Sequence, residues 1–322
     1  MAFEPPQRLV RALGEAYGEQ TAADWLGRLP QLTQEALAAR ELTCERVQAP
    51  GGRSSLVVLV RCADGGQRAL KLAPGAARPE RERAALAHWN GWGAVQLADT
   101  ATGAGAPEER AADGPGSPGG RAVDAPGDGV LLLERLHCEV SLRSLPEAKA
   151  LLEASGVVRK LWVEPPPEHP FETVEERTAR QAEPMREAPG EYSALVGAAL
   201  AARAELIAGT PELLLLHGNF RQGKVLAGDR TQWLAVGPDP LAGERAYDLA
   251  RLVRDRIDDQ IATAAGAPAT RRRINRLADS LDVDRERLHG WTLFRAVESG
   301  VRAMAAGRRQ DGEMLLEFAS WL

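Results

Sequence analysis

A polar turn set between apolar runs carries the residues whose types and spacing bear most directly on chemistry: His217-Gly218-Asn219, then Lys224, then Gly237. Four leucines, Leu213 to Leu216, lead into His217, and "KVLAG" and "WLAVG" supply two short strands beyond it. In loops that transfer phosphoryl groups, an Asp accepts the proton of the substrate hydroxyl and an Asn five residues on holds a metal ion. A second Asp, at the end of a following strand, bridges that metal to the phosphates. Here Asn219 to Lys224 is a step of five residues, and Lys224 to Gly237 a step of thirteen. The spacing fits that plan and the residue types do not. An amide cannot accept a proton at neutral pH. A lysine offers a magnesium ion no oxygen, and a glycine has no side chain to offer.

The elements that must position these residues follow from periodicity. Residues 7–40 read as helical, with Leu9, Val10 and Leu13, then Trp25, Leu26 and Leu29, recurring at three- and four-residue steps and Pro30 punctuating the run. From Cys44 to Ala73 the pattern becomes β: "PGGRSS" is a turn cluster, "LVVLVRC" is β-branched and apolar, "ADGG" is a hairpin signal and "RALKLA" a further strand. Arg78 to Trp89 returns to helical period, and "AVQLAD" reads as a short strand. Residues 101–128 are rich in Gly, Pro and Ala and nearly free of large apolar groups, which predicts a disordered surface loop. "GVLLLERL", Gly129 to Leu136, reads as a buried strand. Beyond it the chain reads as helical, interrupted by the strand–turn–strand region at 211–240. "RRRINR", Arg271 to Arg276, reads as a solvated helix face, and Trp291, Phe294 and Trp321 as core.

Composition excludes several classes. A net charge of −5 and a pI near 5.7 argue against nucleic acid as partner. No apolar run reaches the roughly 18 to 20 residues that span a bilayer, so no membrane association is expected. The opening "MAFEPPQRLV" has prolines where an export signal needs an apolar core, and Cys44, Cys62 and Cys138 are scattered and odd in number. Together these predict a cytoplasmic protein. Only four of the forty basic residues are lysine: Lys71, Lys149, Lys160 and Lys224. The Ala, Gly and Arg excess suggests a GC-rich bacterial genome, where a retained lysine points to a need for an ammonium rather than a guanidinium. His88, His137, His169 and His289 form no metal-ligand spacing.

The stretches His217-Gly218-Asn219, Trp233-Leu234-Ala235-Val236-Gly237-Pro238-Asp239-Pro240 and Tyr247-Asp248-Leu249-Ala250, with "LLLERL", "SLRSLP" and "PPPEHPF" upstream, resemble the aminoglycoside-phosphotransferase family, in its streptomycin 6-kinase and hydroxyurea phosphotransferase branch. The resemblance covers most of the chain outside 101–128. It implies an α+β, bilobal protein-kinase-like fold, with a small N-terminal antiparallel β lobe over 1–136 and a larger, mainly helical C-terminal lobe over 137–322. Carried across, it places Gly51, Gly52, Ser54 and Ser55 in a phosphate-covering loop, and Lys71 as the strand lysine that neutralises α- and β-phosphates. It makes Glu82 the carboxylate that holds Lys71, and Glu134, Arg135 and Leu136 the hinge whose backbone meets an adenine edge. On sequence alone, Lys71 and Glu82 could be an ordinary surface pair; their context favours the functional reading.

Against that pattern the chemical half departs. Asn219 stands at the catalytic Asp, Lys224 at the metal-binding Asn and Gly237 at the metal-binding Asp, a formal change of three positive units. A dication about 5 Å from an ammonium would be repelled by about 6–7 kcal/mol at an effective dielectric near 20. Asp239, where the branch has Lys, is expected to pair with Lys224, with a displaced metal-ligand role as the weaker alternative. Asp248 is expected to be structural, and His217 to brace the backbone. The resemblance thus implies a pseudokinase that binds ATP, another nucleotide or another anion between its lobes, with Mg²⁺ binding weak or absent and a protein partner open to it. The alternative is an active ATP-dependent phosphotransferase on a small hydroxyl-bearing antibiotic or metabolite, with Asp239 or a nearby acid as base. The acids Glu244, Asp248, Asp255, Asp258 and Asp259 would suit a cationic ligand.

Overall fold

The structure is a computed structural model that describes residues 4–98, 129–188, 190–261 and 266–322. The loop expected at 101–128 lies outside the described residues. The chain divides into two compact units, one of Met1–Arg83 with Gln96–Arg135 and one of Ala84–Val95 with Leu136–Leu322.

The first unit opens with two helices, α1 (Gln7–Tyr17) and α2 (Glu19–Ala38). They are separated at Gly18, whose φ of 86° a helix cannot accommodate, and not at Pro30, which lies inside α2. Strands β1 (Thr43–Val47), β2 (Leu56–Arg61) and β3 (Gln67–Ala73) follow, and β4 (Gly129–Glu134) closes an antiparallel sheet of order β1-β2-β3-β4. The β2–β3 turn is held by Asp64, whose Oδ1 accepts from Gly66 N at 2.8 Å, and by Gly65 at φ 86°. One face of the sheet packs Val58, Val60, Leu70, Leu72 and Leu132 against Leu9, Leu13, Trp25 and Leu29 of the two helices. Val10, expected with that stripe, is exposed. Because side chains alternate along a strand, Lys71 falls on the opposite face from its neighbours Leu70 and Leu72. Of "AVQLAD", the described residues 94–98 form no strand and make single bridges, Ala94 to Ala235 and Leu97 to Leu133.

Helix α3 (Pro79–Trp89) runs from the first unit into the second. The second unit then contains β5 (His137–Ser141), α4 (Glu147–Leu161), β6 (Glu172–Thr173), α5 (Val174–Met185) and α6 (Ser193–Ala208). Next come β7 (Leu214–Leu216), β8 (Val225–Ala227), β9 (Trp233–Ala235) and β10 (Leu241–Gly243). Helices α7 (Arg245–Val253), α8 (Ile257–Ile261), α9 (Gly266–Leu281), α10 (Arg285–Ala305) and α11 (Arg309–Ala319) complete it. Two small sheets, β5-β8-β9 and β6-β10-β7, bracket the polar loop after β7. Helix α10 is the core of this unit: its Trp291 and Phe294 are fully buried, with Tyr247 edge-on to Trp291, and Phe318 of α11 is also fully buried, while Trp321 is only half-buried. The basic run on α9 is not uniformly solvated. Arg273 is buried, its guanidinium donating to the carbonyls of Val253 and Asp255 and pairing with Glu147, because those carbonyls need a donor where α7 ends. No helix among the described residues is long and apolar enough to cross a membrane.

Candidate functional site

In the first unit the sheet and α3 bring Lys71 and Glu82 together. Both are buried, and the Lys71 ammonium donates to Glu82 Oε2 while Glu82 Oε1 has no hydrogen-bond partner. The pair sequence alone left open as a surface contact is therefore an inward-facing ion pair with an unused acceptor. The loop joining β1 to β2 contains Gly51, Gly52, Ser54 and Ser55, with Ser54 exposed and Ser55 buried. Gly51 has a packing reason of its own: φ is 80°, and a Cβ there would lie 2.9 Å from Pro6. At the end of β4, Glu134 exchanges hydrogen bonds with Gln96, its Oε1 accepting from Gln96 N at 2.8 Å and its N–H donating to Gln96 O at 2.9 Å. Leu136, two residues on, is buried in the second unit beside Gly228.

In the second unit the loop from β7 is fixed from several sides. Asp248, on α7, accepts from His217 N and Gly218 N, each at 2.9 Å, and is wholly buried. Burial raises its pKa, although these bonds and the nearby Arg295 favour the carboxylate. The expectation that Asp248 is structural agrees with this geometry. Asp239 N donates to His217 O at 2.9 Å, and Arg295 donates to Gly218 O at 2.9 Å while lying over the Tyr247 ring. Gly218, at φ 72°, admits no side chain, since a Cβ would sit 1.9 Å from Asp239 O. The His217 ring accepts from Asn219 N at Nδ1 and meets Val236 O at Nε2, each at 3.3 Å, which fixes the Nε2–H tautomer. Desolvation, then the charge of Lys224, lowers its pKa to about 3. A neutral imidazole with both nitrogens committed to backbone braces the loop.

Lys224, Gly237, Asn219 and Asp239 surround that scaffold. Lys224 Nζ donates to Gly237 O at 3.3 Å and lies 2.5 Å from where a Cβ at residue 237 would be. The side-chain amide of Asn219 is half-buried and makes no hydrogen bond among the described residues. Asp239 takes Arg177, not the expected Lys224, as its two-pronged partner: Nη1 to Oδ2 is 2.7 Å and Nη2 to Oδ1 is 3.0 Å. A fork of two parallel donors matches a carboxylate better than an ammonium can. Asp239 is exposed at the surface of the loop; some desolvation favours its neutral acid, but the bonds and charge of Arg177 outweigh it and hold the carboxyl below the usual carboxylate range. Arg177 is aimed by a capping box at the start of α5, where Thr173 Oγ1 accepts from Glu176 N at 3.1 Å and Glu176 accepts from Thr173 N at 2.8 Å. Arg177 Nε also donates to Glu172 at 2.8 Å.

The structure thus brings His217, Asn219, Lys224, Gly237 and Asp239 into one loop cluster, and Lys71 and Glu82 into one pair. Of the acids suggested for a cationic ligand, Glu244 is buried against Arg287 and Trp291, and Asp255 accepts from Gln222 N. Asp258 and Asp259 remain exposed. Sequence reasoning missed Arg177 and Arg295, which reach the loop from α5 and α10 without a motif at either position. Among the described residues no group of three His, Cys, Asp or Glu side chains is arranged to hold a metal ion.

The fold is that of small-molecule kinases: the chain superposes on an amicoumacin kinase in complex with AMP-PNP, Ca²⁺ and Ami with a TM-score of 0.61, at 13% identity over 90% of this chain and 92% of that one. It is 30% identical over 314 residues to the streptomycin 6-kinase of Streptomyces glaucescens, covering 92% of this chain and 90% of that protein. It is also 30% identical over 310 residues to the hydroxyurea phosphotransferase of Kitasatospora aureofaciens, covering 93% and 79%. The model of the aminoglycoside/hydroxyurea antibiotic resistance kinase family matches residues 40–107 and 110–307. The chain belongs to that family.

Proposed function

We propose that this chain is a cytoplasmic pseudokinase: a kinase-like protein that binds nucleotide or another anionic ligand and whose phosphoryl transfer is lost or severely impaired. The observation that carries this reading is the Lys224 ammonium set against Gly237, at positions the family pattern gives to metal ligands. Neither residue brings a side-chain oxygen, and the Gly237 carbonyl already accepts from Lys224. The set does not fit Mg²⁺, and binding of that ion is weak or absent. Asn219 has no carboxylate to take a proton from an acceptor hydroxyl.

The nucleotide half supports binding. Lys71 is a buried ammonium held by Glu82, a pairing that suits contact with phosphates. Lys224 supplies positive charge where a metal would otherwise act. Gly51, Gly52, Ser54 and Ser55, with Glu134 and Leu136, are the further contacts this reading assigns. A protein ligand is compatible with such a role, and nucleic acid is not its partner. The rearranged-enzyme alternative is disfavoured by Asp239, since a carboxylate doubly bonded to Arg177 and depressed in pKa is a poor base.

An ATP-consumption assay with streptomycin and hydroxyurea as acceptors tests the reading. No turnover above background is expected, from the wild type or from Lys71→Met. Acceptor-dependent turnover that disappears in Lys71→Met would overturn it.

A further inference from the structure

A set of unsatisfied donors lies where α7 meets the loop after β7. Asp248 anchors the loop's start at His217 and Gly218, and Asp255 anchors its far side, with Oδ2 accepting from Gln222 N at 2.6 Å. Arg251 is one turn after Asp248 on α7 and so shares the helix face that carries that anchor; Asp255 lies just past the end of the helix, and both it and Arg221 of the loop are electrostatic neighbours of Arg251. Its Nε–H is buried without an acceptor, and its guanidinium makes no hydrogen bond or ion pair among the described residues. The residue as a whole keeps some exposure, so a small ion can reach it.

Cations outnumber anions among the strongest charged neighbours of Arg251, with Arg254, Arg295 and Arg221 set against Asp255; burial first, then these cations, push its pKa well below that of an ordinary arginine. Arg254 is committed to Arg295 O at 2.8 Å, and Arg295 to Tyr247 O at 2.8 Å and Gly218 O at 2.9 Å. Gln222, completely buried, has Oε1 accepting from Arg256 Nε at 2.6 Å, which fixes its amide orientation and leaves Nε2 as a second buried donor without an acceptor. Buried donors are satisfied in nearly all native structures, and the Arg251 Nε–H and Gln222 Nε2 are two that lack an acceptor here.

We propose that Arg251 and Gln222 form a binding site for a phosphate-sized tetrahedral oxyanion, lodged between α7 and the loop. Such an ion accepts from the Arg251 fork and the Gln222 amide at once and supplies the missing negative charge. The site does not depend on nucleotide binding at Lys71. The same chemistry is presented by a free ion and by the phosphoryl end of a larger molecule.

The test is thermal unfolding of the full chain in chloride buffer with EDTA, titrated with inorganic phosphate to about 10 mM against chloride at matched ionic strength. A phosphate-specific rise of about 3 °C is expected. Arg251→Met is expected to melt no lower than wild type in chloride and to lose the phosphate response. Should that variant fold poorly, Gln222→Glu, which builds a carboxylate into the cluster, is expected to melt higher in chloride and likewise to lose the response. The absence of a phosphate-specific rise in the wild type, or an undiminished rise in Arg251→Met, overturns the proposal. Lys71→Met is expected to lose its response to ATP and keep that to phosphate, which separates failure of this site from failure of the nucleotide reading. In that variant, a response to inorganic phosphate exceeding that to phosphoserine at equal concentration assigns the free ion, and the reverse assigns a phosphoryl end.

Discussion

Lys224 occupies the space a side chain at residue 237 would need, its Nζ lying 2.5 Å from the ideal Cβ position and 3.3 Å from the Gly237 carbonyl oxygen. The two substitutions are therefore coupled: a lysine here is accommodated because the facing residue has no side chain. Gly237 is also at φ 59°, a conformation that costs a non-glycine residue energy. Gly237→Asp alone should destabilise by about 1–3 kcal/mol. In a Lys224→Asn background the same change should cost at least about 1 kcal/mol less. A double-mutant cycle by chemical denaturation checks this, and additivity would show that the two sites do not interact.

Gly218 is a harder constraint. A Cβ there meets a backbone oxygen at 1.9 Å, which no side-chain rotation relieves. Gly218→Ala should cost more than about 3 kcal/mol, read as a shift of the denaturation midpoint at unchanged slope. An effect below about 1 kcal/mol would mean that the loop is not held against Asp239 as described.

Removing one member of the Lys71–Glu82 pair leaves the other buried and charged, so Lys71→Met should destabilise by about 3 kcal/mol. The double variant Lys71→Met with Glu82→Leu should regain much of that stability, because both charges are gone. It should still fail to be stabilised by ATP. Recovery of the ATP response together with stability would place nucleotide contacts elsewhere.

The His217 imidazole, held to about 3 by burial and by the Lys224 charge, gives a pH signature. Its folded value is below the unfolded one of about 6.5, so only the unfolded state takes up this proton between those limits. Stability from this group is complete above about pH 6.5 and is lost as pH falls toward 3, at roughly 1.4 kcal/mol per pH unit. Unfolding free energies measured from pH 7 to 5 should fall more steeply for wild type than for His217→Gln, and parallel slopes would contradict the burial of a neutral ring.

Much of this was legible in the sequence, for physical reasons. The alternation around "RALKLA" places Lys71 on the face opposite Leu70 and Leu72, and the Asn219–Lys224–Gly237 spacing fixes which residues share the loop. Contacts made across long stretches of chain were not legible. Arg177 and Asp239 are 62 residues apart, and nothing near Arg177 beyond its capping box marks it. Lys224 looked the natural partner for Asp239 because the two types appear exchanged against the family pattern, but fork geometry favoured a guanidinium. Arg273 looked solvated within a basic run because the run's composition hides which residue faces the carbonyls at the end of α7. Pro30 is expected to punctuate the helical run, yet the break falls at Gly18; a proline removes one hydrogen bond, while a glycine can take the positive φ that a helix cannot continue.

If the Lys224 ammonium stands in for a metal, the decisive measurement is ATP binding to the wild-type protein, followed as thermal stabilisation in EDTA and in excess Mg²⁺. The account predicts stabilisation in EDTA at least as large as with Mg²⁺. The triple variant Asn219→Asp, Lys224→Asn, Gly237→Asp should gain a dependence on the metal. Stabilisation of the wild type that appears only when Mg²⁺ is present would contradict the account.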